Sequence, residues 1–286
     1  CFNKYIIYIM SKIKLYISTY NNENRINLTV GRLAETNNID KVEINVINNH
    51  TNFKLKNSNL KINVIHNATR PDFSSGHLSR TWNQCLVNGF RSLKNPDCDV
   101  LITAQDDTYF DIDWVNKVEE LMTQYEFVQN GHGDHICVYT PVHVKKTGIW
   151  DERFCGISRQ AADYFFRCLL YNKDNSSIND IGHQRINNPI FNNDLLKSQN
   201  YLVDSRSREI FGDEVYDNTT DNNDSISLNL LKEKYGEDPF PWDENLFKRI
   251  PNILKKIERA KLSKNYMFYP YFEKDILNLN KKNFLL

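Results

Sequence analysis

A short apolar run that ends in two adjacent carboxylates constrains the fold of this chain more than any other stretch. Residues 99–107 read Asp-Val-Leu-Ile-Thr-Ala-Gln-Asp-Asp. Such a run is typical of a strand that is buried on both faces of a largely parallel sheet. Two like charges directly after it are costly to desolvate, and open α/β sheets bind ligands at the carboxyl ends of their strands. Asp106 and Asp107 are therefore the first candidate functional residues, although solvated turn or helix-capping residues would show the same local pattern.

Strand and helix patterns alternate along the first half of the chain. Alternating or apolar runs predict strands over residues 13–17, 42–47, 60–65, 100–104 and 136–139. Apolar residues at helical spacing predict helices over residues 26–33, 79–93, 114–122 with Asp113 as the N-cap, 161–170, 224–235 and 244–263. This alternation predicts an α/β domain with a mostly parallel sheet. The expected organisation is an N-terminal arm over 1–11, a main domain over 12–199 that contains a polar loop over 172–194, and a C-terminal helical extension over 200–286.

Composition excludes several classes of partner. The 286 residues carry 36 Lys and Arg against 36 Asp and Glu, so no global field attracts nucleic acid or an anionic membrane. The apolar patch at the start is too short to span a bilayer, which predicts a cytoplasmic protein without stable membrane insertion. The six cysteines have neither CxxC nor zinc-site spacing, and we expect them to be reduced core thiols.

Five motifs follow one another in an order that resembles a known family. They are Thr19-Tyr20-Asn21, Asn48-Asn49, the pair Gly76 and Asn83, Gln105-Asp106-Asp107, and the segment 148–154 followed by the helix that carries Asp163. In this order they resemble a GT-A fold glycosyltransferase of the family-2-like kind, with Gln105-Asp106-Asp107 as its DxD-type motif. The resemblance covers about residues 12–195. It implies a Rossmann-like, mostly parallel sheet flanked by helices, with the C-terminal helical extension shaping the acceptor side or a homo-oligomer interface.

The resemblance also implies a reaction. The expected enzyme is a metal-dependent, inverting hexosyltransferase that moves a sugar from a nucleotide-diphosphate sugar, with a UDP-sugar favoured, to a glycan or other hydroxyl acceptor. A divalent cation, Mn²⁺ or Mg²⁺, would neutralise the leaving diphosphate. Asp107 is the expected metal ligand, His183 can complete the metal site, and Gln105 departs from the family's first acidic residue. The expected nucleotide-sugar-binding residues are Thr19, Tyr20, Asn21, Asn48, Asn49, Arg70, Arg80, Asn83 and Asp106.

The general base is where the chain departs furthest from the family pattern. Many members carry Glu-Asp-x-Asp where this chain reads Gln160-Ala-Ala-Asp163. Asp163 is therefore the first choice for the base, with Asp151 and Glu152 behind it. The spacing of Asp163 and Arg167 equally suits a structural ion pair at i+4.

Simpler structural roles stay open for many of these residues at the level of sequence. Ordinary turn chemistry accounts for the Thr and Asn residues, solvation for Arg70 and Arg80, and exposure for His183. Trp150 and Phe154 can stack on a sugar or belong to the core.

Two further functions are compatible with the sequence. One is a catalytically silent nucleotide-sugar or carbohydrate-binding protein, which Ala161 favours because it stands where the family carries its base. The second is a metal-dependent nucleotidyltransferase, although residues 19–25 lack the glycine-rich phosphate loop of such enzymes.

Overall fold

The computed structural model describes residues 12–20, 22–49, 53–56, 59–67, 78–130, 134–154, 159–172, 190–192, 199–200 and 227–235. The strands in this part of the chain are β1 (Ile13–Thr19), β2 (Val42–Asn48), β3 (Ile62–His66), β4 (Val100–Gln105), β5 (Thr108–Tyr109), β6 (Phe127–Asn130), β7 (Ile136–Tyr139), β8 (Ile190–Asn192) and β9 (Gln199–Asn200). The helices are α1 (Glu23–Leu33), α2 (Leu78–Phe90), α3 (Trp114–Met122), α4 (Pro141–Thr147) and α5 (Arg159–Asn172). A 3₁₀ turn spans Ile39–Lys41, and residues 227–235 are also helical.

A mostly parallel sheet forms the centre of the described structure. Its strand order is β3-β2-β1-β4-β7-β6-β8, and β5 pairs separately with β9. Within this sheet β7 runs antiparallel to its neighbours β4 and β6, whereas the other pairs are parallel. All six residues of β4 are buried, as the apolar run predicts. The predicted α/β class, with a mostly parallel sheet flanked by helices, is confirmed.

The order of the strands creates a switch point beside β4. From β1 the chain continues to β2 and β3 on one side, and it then returns to β4 on the other side of β1. Ser18 of β1 is the register partner of Gln105 of β4, so the residues that follow both strands lie next to each other. Open α/β sheets bind ligands at such a reversal, beyond the carboxyl ends of the strands. The acidic pair therefore stands at the position that topology favours for a ligand.

Helices cover both faces of the sheet. One apolar cluster joins Leu15 and Ile17 of β1 to Ile26 and Val30 of α1, and it also includes residues of α3. A second cluster contains Tyr16 of β1 together with residues of α2 and α5. Because successive side chains of a strand point to opposite faces, β1 contributes to both clusters. All seven residues of β1 are buried, as expected for a strand that packs on both faces.

Several elements differ from the sequence prediction. Sequence patterns do not predict β6 or α4, and β8 lies within the predicted loop over 172–194. Asp113 is the N-cap residue of α3, as predicted, but its side chain makes no capping hydrogen bond. Instead, its Oδ1 accepts a hydrogen bond of 2.7 Å from Asn37 Nδ2, because the loop after α1 lies beside the start of α3. The second predicted C-terminal helix, over 244–263, lies outside the described residues, and the domain boundaries remain predictions.

Four of the six cysteines lie among the described residues. Cys85, Cys98, Cys137 and Cys168 are buried free thiols, which confirms the prediction for these four. Cys1 and Cys155 lie outside the described residues. None of the helices in the described part of the chain has the length and hydrophobicity of a membrane span.

Candidate functional site at the carboxyl edge of the sheet

The acidic pair after β4 is buried rather than solvated. Asp106 and Asp107 are 0% and 1% exposed. The hydroxyl of Thr19, at the end of β1, donates a hydrogen bond of 2.6 Å to Asp106 Oδ2. The hydroxyl of Thr29 in α1 donates to the backbone carbonyl oxygen of Asp106 at 2.6 Å. Side chains from two neighbouring elements thus fix the turn, which excludes the interpretation of the pair as solvated turn residues.

Amide side chains continue this edge across β2 and β3. Asn49 Nδ2 donates to Ser18 Oγ at 3.3 Å, and its backbone N–H donates to the carbonyl oxygen of Thr19 at 3.0 Å. Asn48 Nδ2 lies 3.2 Å from His66 Nδ1. Asn67 Nδ2 donates to Asn49 Oδ1 at 3.0 Å. The structure therefore places Asn48 and Asn49 at the same edge of the sheet as Thr19 and Asp106.

The remaining predicted nucleotide-contact residues are only partly described. Tyr20 directly follows β1 at this edge, and Arg80 is a half-buried residue in the first turn of α2. Asn21, Arg70 and the predicted metal ligand His183 lie outside the described residues.

The chemistry of the acidic pair fits a cation that the substrate helps to hold. Carboxylate oxygens are hard ligands that suit Mg²⁺ and Mn²⁺. Within the described part of the chain, however, no group of three or more His, Cys, Asp or Glu side chains is placed to hold a metal ion. Mg²⁺ in nucleotide sites is commonly bound through one or two carboxylates together with substrate phosphates, and the pair supplies that number of carboxylates.

Asn83 of α2 ties the segment before α5 to the rest of the site. Its Nδ2 donates to Glu152 Oε1 at 2.7 Å and to the carbonyl oxygen of Trp150 at 2.9 Å. Its Oδ1 accepts the backbone N–H of Trp150 at 2.7 Å. Asn83 therefore holds a buried carboxylate in place through a neutral amide. Trp150 is itself a core residue, since its ring stacks on Tyr164 with centroids 4.3 Å apart.

Asp163 lies within a buried cluster of charges. Arg167 Nε donates to Asp163 Oδ2 at 3.0 Å, so the ion pair that the i+4 spacing suits is present. Lys234 of the helix over 227–235 pairs with Asp163 Oδ1, and Tyr235 OH donates to the same oxygen at 2.7 Å. Lys234 also lies 3.0 Å from Asp151 Oδ2. Both oxygens of Asp163 thus interact with cationic side chains.

Asp151 is held by a second cation. Arg153 donates to Asp151 through Nε at 3.0 Å and through Nη2 at 2.7 Å, which is a two-point contact. Burial by itself would raise the pKa of Asp151, but the charges of Lys234 and Arg153 outweigh it and lower the pKa to about 2. Asp151 is therefore ionised at neutral pH and committed to structural ion pairs.

Asp134 is a residue of this edge that sequence reasoning missed. Gln105 Nε2 donates to its Oδ1 at 3.1 Å, while Trp82 Nε1 and Gln160 Nε2 donate to its Oδ2 at 2.6 and 3.2 Å. The local sequence shows only an Asp shortly before a strand. Its partnership with Gln105 depends on the antiparallel pairing of β7 with β4, which no local pattern reveals.

A separate polar cleft lies away from this edge. It has a volume of about 420 Å³ and lies between the first halves of β1 to β3 and the end of α2, with Lys14, Tyr16 and Glu43 among its lining residues. Lys14 is paired there with Asp97 and lies 3.9 Å from Glu43. Because its charges already pair with one another, this cleft does not compete with the acidic edge as a site for an anionic substrate.

Comparison with known proteins yields similarity at the level of three-dimensional structure. No protein family model matches the chain, and no curated protein sequence matches it significantly. TarS from S. aureus is 12% identical with a TM-score of 0.43, over 90% of this chain and 54% of TarS. The chain thus spans about half the length of TarS.

Two further similar structures are described as sugar transferases. The mannosyltransferase PcManGT from Pyrobaculum calidifontis, in complex with GDP-Man and Mn²⁺, is 10% identical with a TM-score of 0.40, over 94% of this chain and 89% of PcManGT. The apo-form glycosyltransferase GlyE from Streptococcus pneumoniae TIGR4 is 12% identical with a TM-score of 0.29, over 46% and 35% of the two chains. At these identities and TM-scores, the similarities carry no statement about the activity, metal or substrate of this chain.

Proposed function

We propose that this protein is a glycosyltransferase of the GT-A type that transfers a sugar from a nucleotide-diphosphate sugar to a hydroxyl acceptor. The observation that carries the proposal is the buried acidic pair at the switch point of a mostly parallel sheet, fixed by the hydroxyl of Thr19. A buried pair of carboxylates is costly unless opposite charge or donors offset it, and a cation bound with a diphosphate supplies opposite charge there.

The residues of the edge divide between the two parts of the donor. Thr19, Tyr20, Asn21, Asn48 and Asn49 contact the nucleoside, and Arg70 and Arg80 contact the diphosphate, since guanidinium groups match phosphate geometry. Asp107 holds Mn²⁺ or Mg²⁺, with His183 as a further ligand. When bound, the cation neutralises the charge that develops on the leaving diphosphate. Asp106, fixed by Thr19, faces the ribose.

Glu152 is the carboxylate that we propose as the general base. Asp163 and Asp151 are engaged by Arg167, Lys234 and Arg153, so the oxygens of both carboxylates already hold cationic partners. The contact of Glu152 with Asn83 is a hydrogen bond from a neutral amide. Glu152 would take the proton of the acceptor hydroxyl in an inverting displacement.

A panel of sugar nucleotides tests the proposed function. The full chain is incubated with UDP-sugars and GDP-sugars and Mn²⁺, and release of free nucleotide is measured without acceptor. We expect slow hydrolysis of at least one member that stops when Asp107 is replaced by Ala. Absence of hydrolysis and of binding for every member would contradict the proposal.

Two variants test whether Glu152 is the general base. Glu152→Gln keeps the side-chain size and the contact with Asn83, and we expect it to lower transfer to an acceptor by about a hundredfold or more while the affinity for the donor stays unchanged. Asp163→Asn serves as the comparison, because it removes the charge from the structural cluster. A variant Glu152→Gln with full activity would remove Glu152 from this role.

A silent nucleotide-sugar-binding protein is the second candidate. The engagement of both Asp151 and Asp163 in buried ion pairs favours it, since it removes two of the three candidate carboxylates for the base. Such a protein would bind sugar nucleotides with the metal and turn over none of them. The same panel therefore separates the two functions.

A further inference from the structure

We propose that Asp134 and Gln160 bind hydroxyl groups of the donor sugar, and that Gln105 positions Asp134 instead of serving a metal. This inference rests on the proposed function and deepens it, because it assigns the sugar-binding part of the same edge.

The register of the sheet places Asp134 directly opposite the acidic pair. Ala104 of β4 is the partner of Ile136 of β7, and the Gln105 backbone N–H donates to the carbonyl oxygen of His135 at 3.2 Å. One further step along the same antiparallel register sets Asp134 across from Asp106. Because β7 runs antiparallel to β4, it begins at the edge where β4 ends.

The order of the strands along this edge matches the order of the groups in a sugar nucleotide. The candidate nucleoside contacts follow β1 and β2, the acidic pair follows β4, and Asp134 precedes β7, the next strand in the sheet. The sugar is joined to the nucleoside through the diphosphate. A donor whose diphosphate lies at Asp107 therefore extends its sugar towards β7.

Three donors hold the carboxylate of Asp134 in place. It is 3% exposed and receives N–H donors from three different elements, namely Trp82 of α2, Gln105 of β4 and Gln160 of α5. Three hydrogen bonds to one carboxylate fix its orientation. A fixed carboxylate is a strong acceptor for sugar hydroxyl groups, because such hydrogen bonds are charge-assisted.

Gln160 provides the second, independent observation. It is 1% exposed, and in the structure its Oε1 has no hydrogen-bond partner among the described residues. Its Nε2 faces Asp134, since the opposite orientation would set two acceptors against each other. A buried acceptor without a donor is costly, and a hydroxyl group of a ligand would satisfy it. Asp134 and Gln160 thus offer neighbouring acceptors that suit two adjacent hydroxyl groups of a sugar.

The role of Gln105 follows from the same contacts. Its amide lies where the DxD-type motif of the related family has its first acidic residue, and it donates to Asp134. A carboxylate at this position would repel Asp134, whereas an amide donor stabilises it. The presence of Gln105 in place of the family's acidic residue therefore suits the position of Asp134 beside it.

Binding of a nucleotide with and without its sugar tests the proposal. Calorimetric titrations with Mn²⁺ compare UDP with a UDP-sugar that the panel identifies, for the wild type, Asp134→Asn and Gln160→Leu. We expect both variants to bind UDP as the wild type does and to bind the UDP-sugar about tenfold to a hundredfold more weakly. Asp40→Asn, which changes an exposed carboxylate of the 3₁₀ turn, is the control and should leave both affinities unchanged.

The outcomes separate this inference from the proposed function. If the wild type binds none of the nucleotides, the proposed function is wrong, and this inference is wrong as well. If the wild type binds, but a folded Asp134→Asn or Gln160→Leu loses the same factor for UDP and for the UDP-sugar, only the sugar assignment is overturned. Thermal melting shows whether each variant is folded, and Gln160→Leu keeps the test available because it leaves the carboxylate of Asp134 in place.

The substitution Gln105→Glu tests the proposed role of Gln105 in positioning Asp134. If Gln105 positions Asp134, the new carboxylate weakens the binding of the UDP-sugar and leaves the affinity for Mn²⁺ in the presence of UDP unchanged. Tighter binding of Mn²⁺ would show instead that position 105 faces the metal.

Discussion

Thr19 and Asp106 show how a single hydrogen bond can prepare the site. The side chain of Asp106 is fully buried, and the hydroxyl of Thr19 donates to one of its oxygens. Loss of a donor to a buried carboxylate leaves the full cost of its desolvation. The orientation of the acidic pair therefore depends on a residue that comes 87 positions earlier in the chain.

Replacement of Thr19 by Val is the first prediction. The change keeps the shape of the side chain and removes the hydroxyl, so we expect it to lower the free energy of unfolding by about 1–3 kcal/mol and to weaken metal-dependent binding of UDP. Urea unfolding and calorimetry measure the two effects. Thr29→Val is the matched control, because it removes a hydroxyl that contacts only backbone carbonyl oxygens of this turn. Equal losses of UDP binding in the two variants would contradict the proposed role of Thr19.

The pH dependence of stability is the second prediction and concerns Asp151. Its pKa is about 2 in the folded chain, against an ordinary value of 3.8, so the unfolded chain binds a proton more readily. The stabilisation is complete well above pH 4 and is lost as the pH falls through 2. Between pH 5 and pH 2, the difference in unfolding free energy between the wild type and Asp151→Asn should shrink by about 2 kcal/mol. Urea unfolding at several pH values measures it, and a constant difference would show that the carboxylate is not paired.

For the candidate bases, sequence patterns predict some contacts of the carboxylates and not others. The spacing of Asp163 and Arg167 predicts their ion pair, because residues four apart lie on one side of a helix. Lys234 is 71 positions beyond Asp163 and 83 beyond Asp151, and no local pattern connects it to either. The engagement of Asp163 and Asp151 by Lys234 therefore depends on a tertiary contact that sequence periodicity does not contain.

The helix over 227–235 contacts the segment over 151–163 through buried groups. Lys234 lies between Asp151 and Asp163, with its Nζ 5.3 Å from the centre of the Phe154 ring, and Tyr235 also contacts Asp163. The C-terminal part of the chain thus supports the segment that carries Glu152. This helix is the described part of the predicted C-terminal extension.

Removal of this cation is the third prediction. Lys234→Met keeps much of the apolar stem but leaves two buried carboxylates with one cation fewer, so we expect it to lower the free energy of unfolding by about 3–5 kcal/mol. Lys232→Met, an exposed position of the same helix, should change it by less than about 0.5 kcal/mol. Thermal and urea unfolding give both values. Similar small effects for the two variants would mean that the helix does not support the domain.

The packing of α2 on β4 gives the fourth prediction. A Cβ atom at Gly89 would collide with Leu101 Cδ1 and lie 3.2 Å from Tyr16 Cε2, both in the buried core. Gly89→Ala should therefore destabilise the protein by about 1–3 kcal/mol through overpacking. At Gly31 nothing lies within 4 Å, so Gly31→Ala should stabilise α1 by up to about 1 kcal/mol. Unfolding in urea compares the two, and opposite signs are expected.

Sequence patterns found the long elements and the short strand β7, and they missed β6 and α4. The helices α1, α2 and α3 repeat apolar residues over several turns, β1 and β2 are long enough to show alternation, and β4 is a nearly continuous apolar run. The strand β6 has four buried residues, of which Gln129 and Asn130 are polar, so it shows neither an alternation nor an apolar run as β7 does. For α4 a usable signal was present, because Thr140 caps it by accepting from His143 N at 3.2 Å and Pro141 occupies its first turn.

At the scale of the whole molecule, sequence patterns predict the sheet and its helices, whereas the strand order is needed to bring the residues of the site together. Alternating strands and helices predict the sheet, and the apolar run of β4 predicts where the acidic pair stands. The reversal of strand order beside β1 then brings together Thr19, Asn48 and Asp106, which the family resemblance also groups. Asp134 lies at this edge only because it precedes the antiparallel strand β7. Residues that share a parallel edge could thus be predicted from sequence, whereas a residue that joins the edge from an antiparallel strand could not.

The central claim is that Asp107 at this edge holds a divalent cation with the diphosphate of a sugar nucleotide, and calorimetric titration of UDP tests it most directly. The wild type should bind UDP in the presence of Mn²⁺ and lose that binding when the metal is chelated. Asp107→Ala should abolish metal-dependent binding, while Asp111→Ala, four positions further along, should retain it. Binding of UDP that is independent of the metal, or unchanged in Asp107→Ala, would contradict the claim.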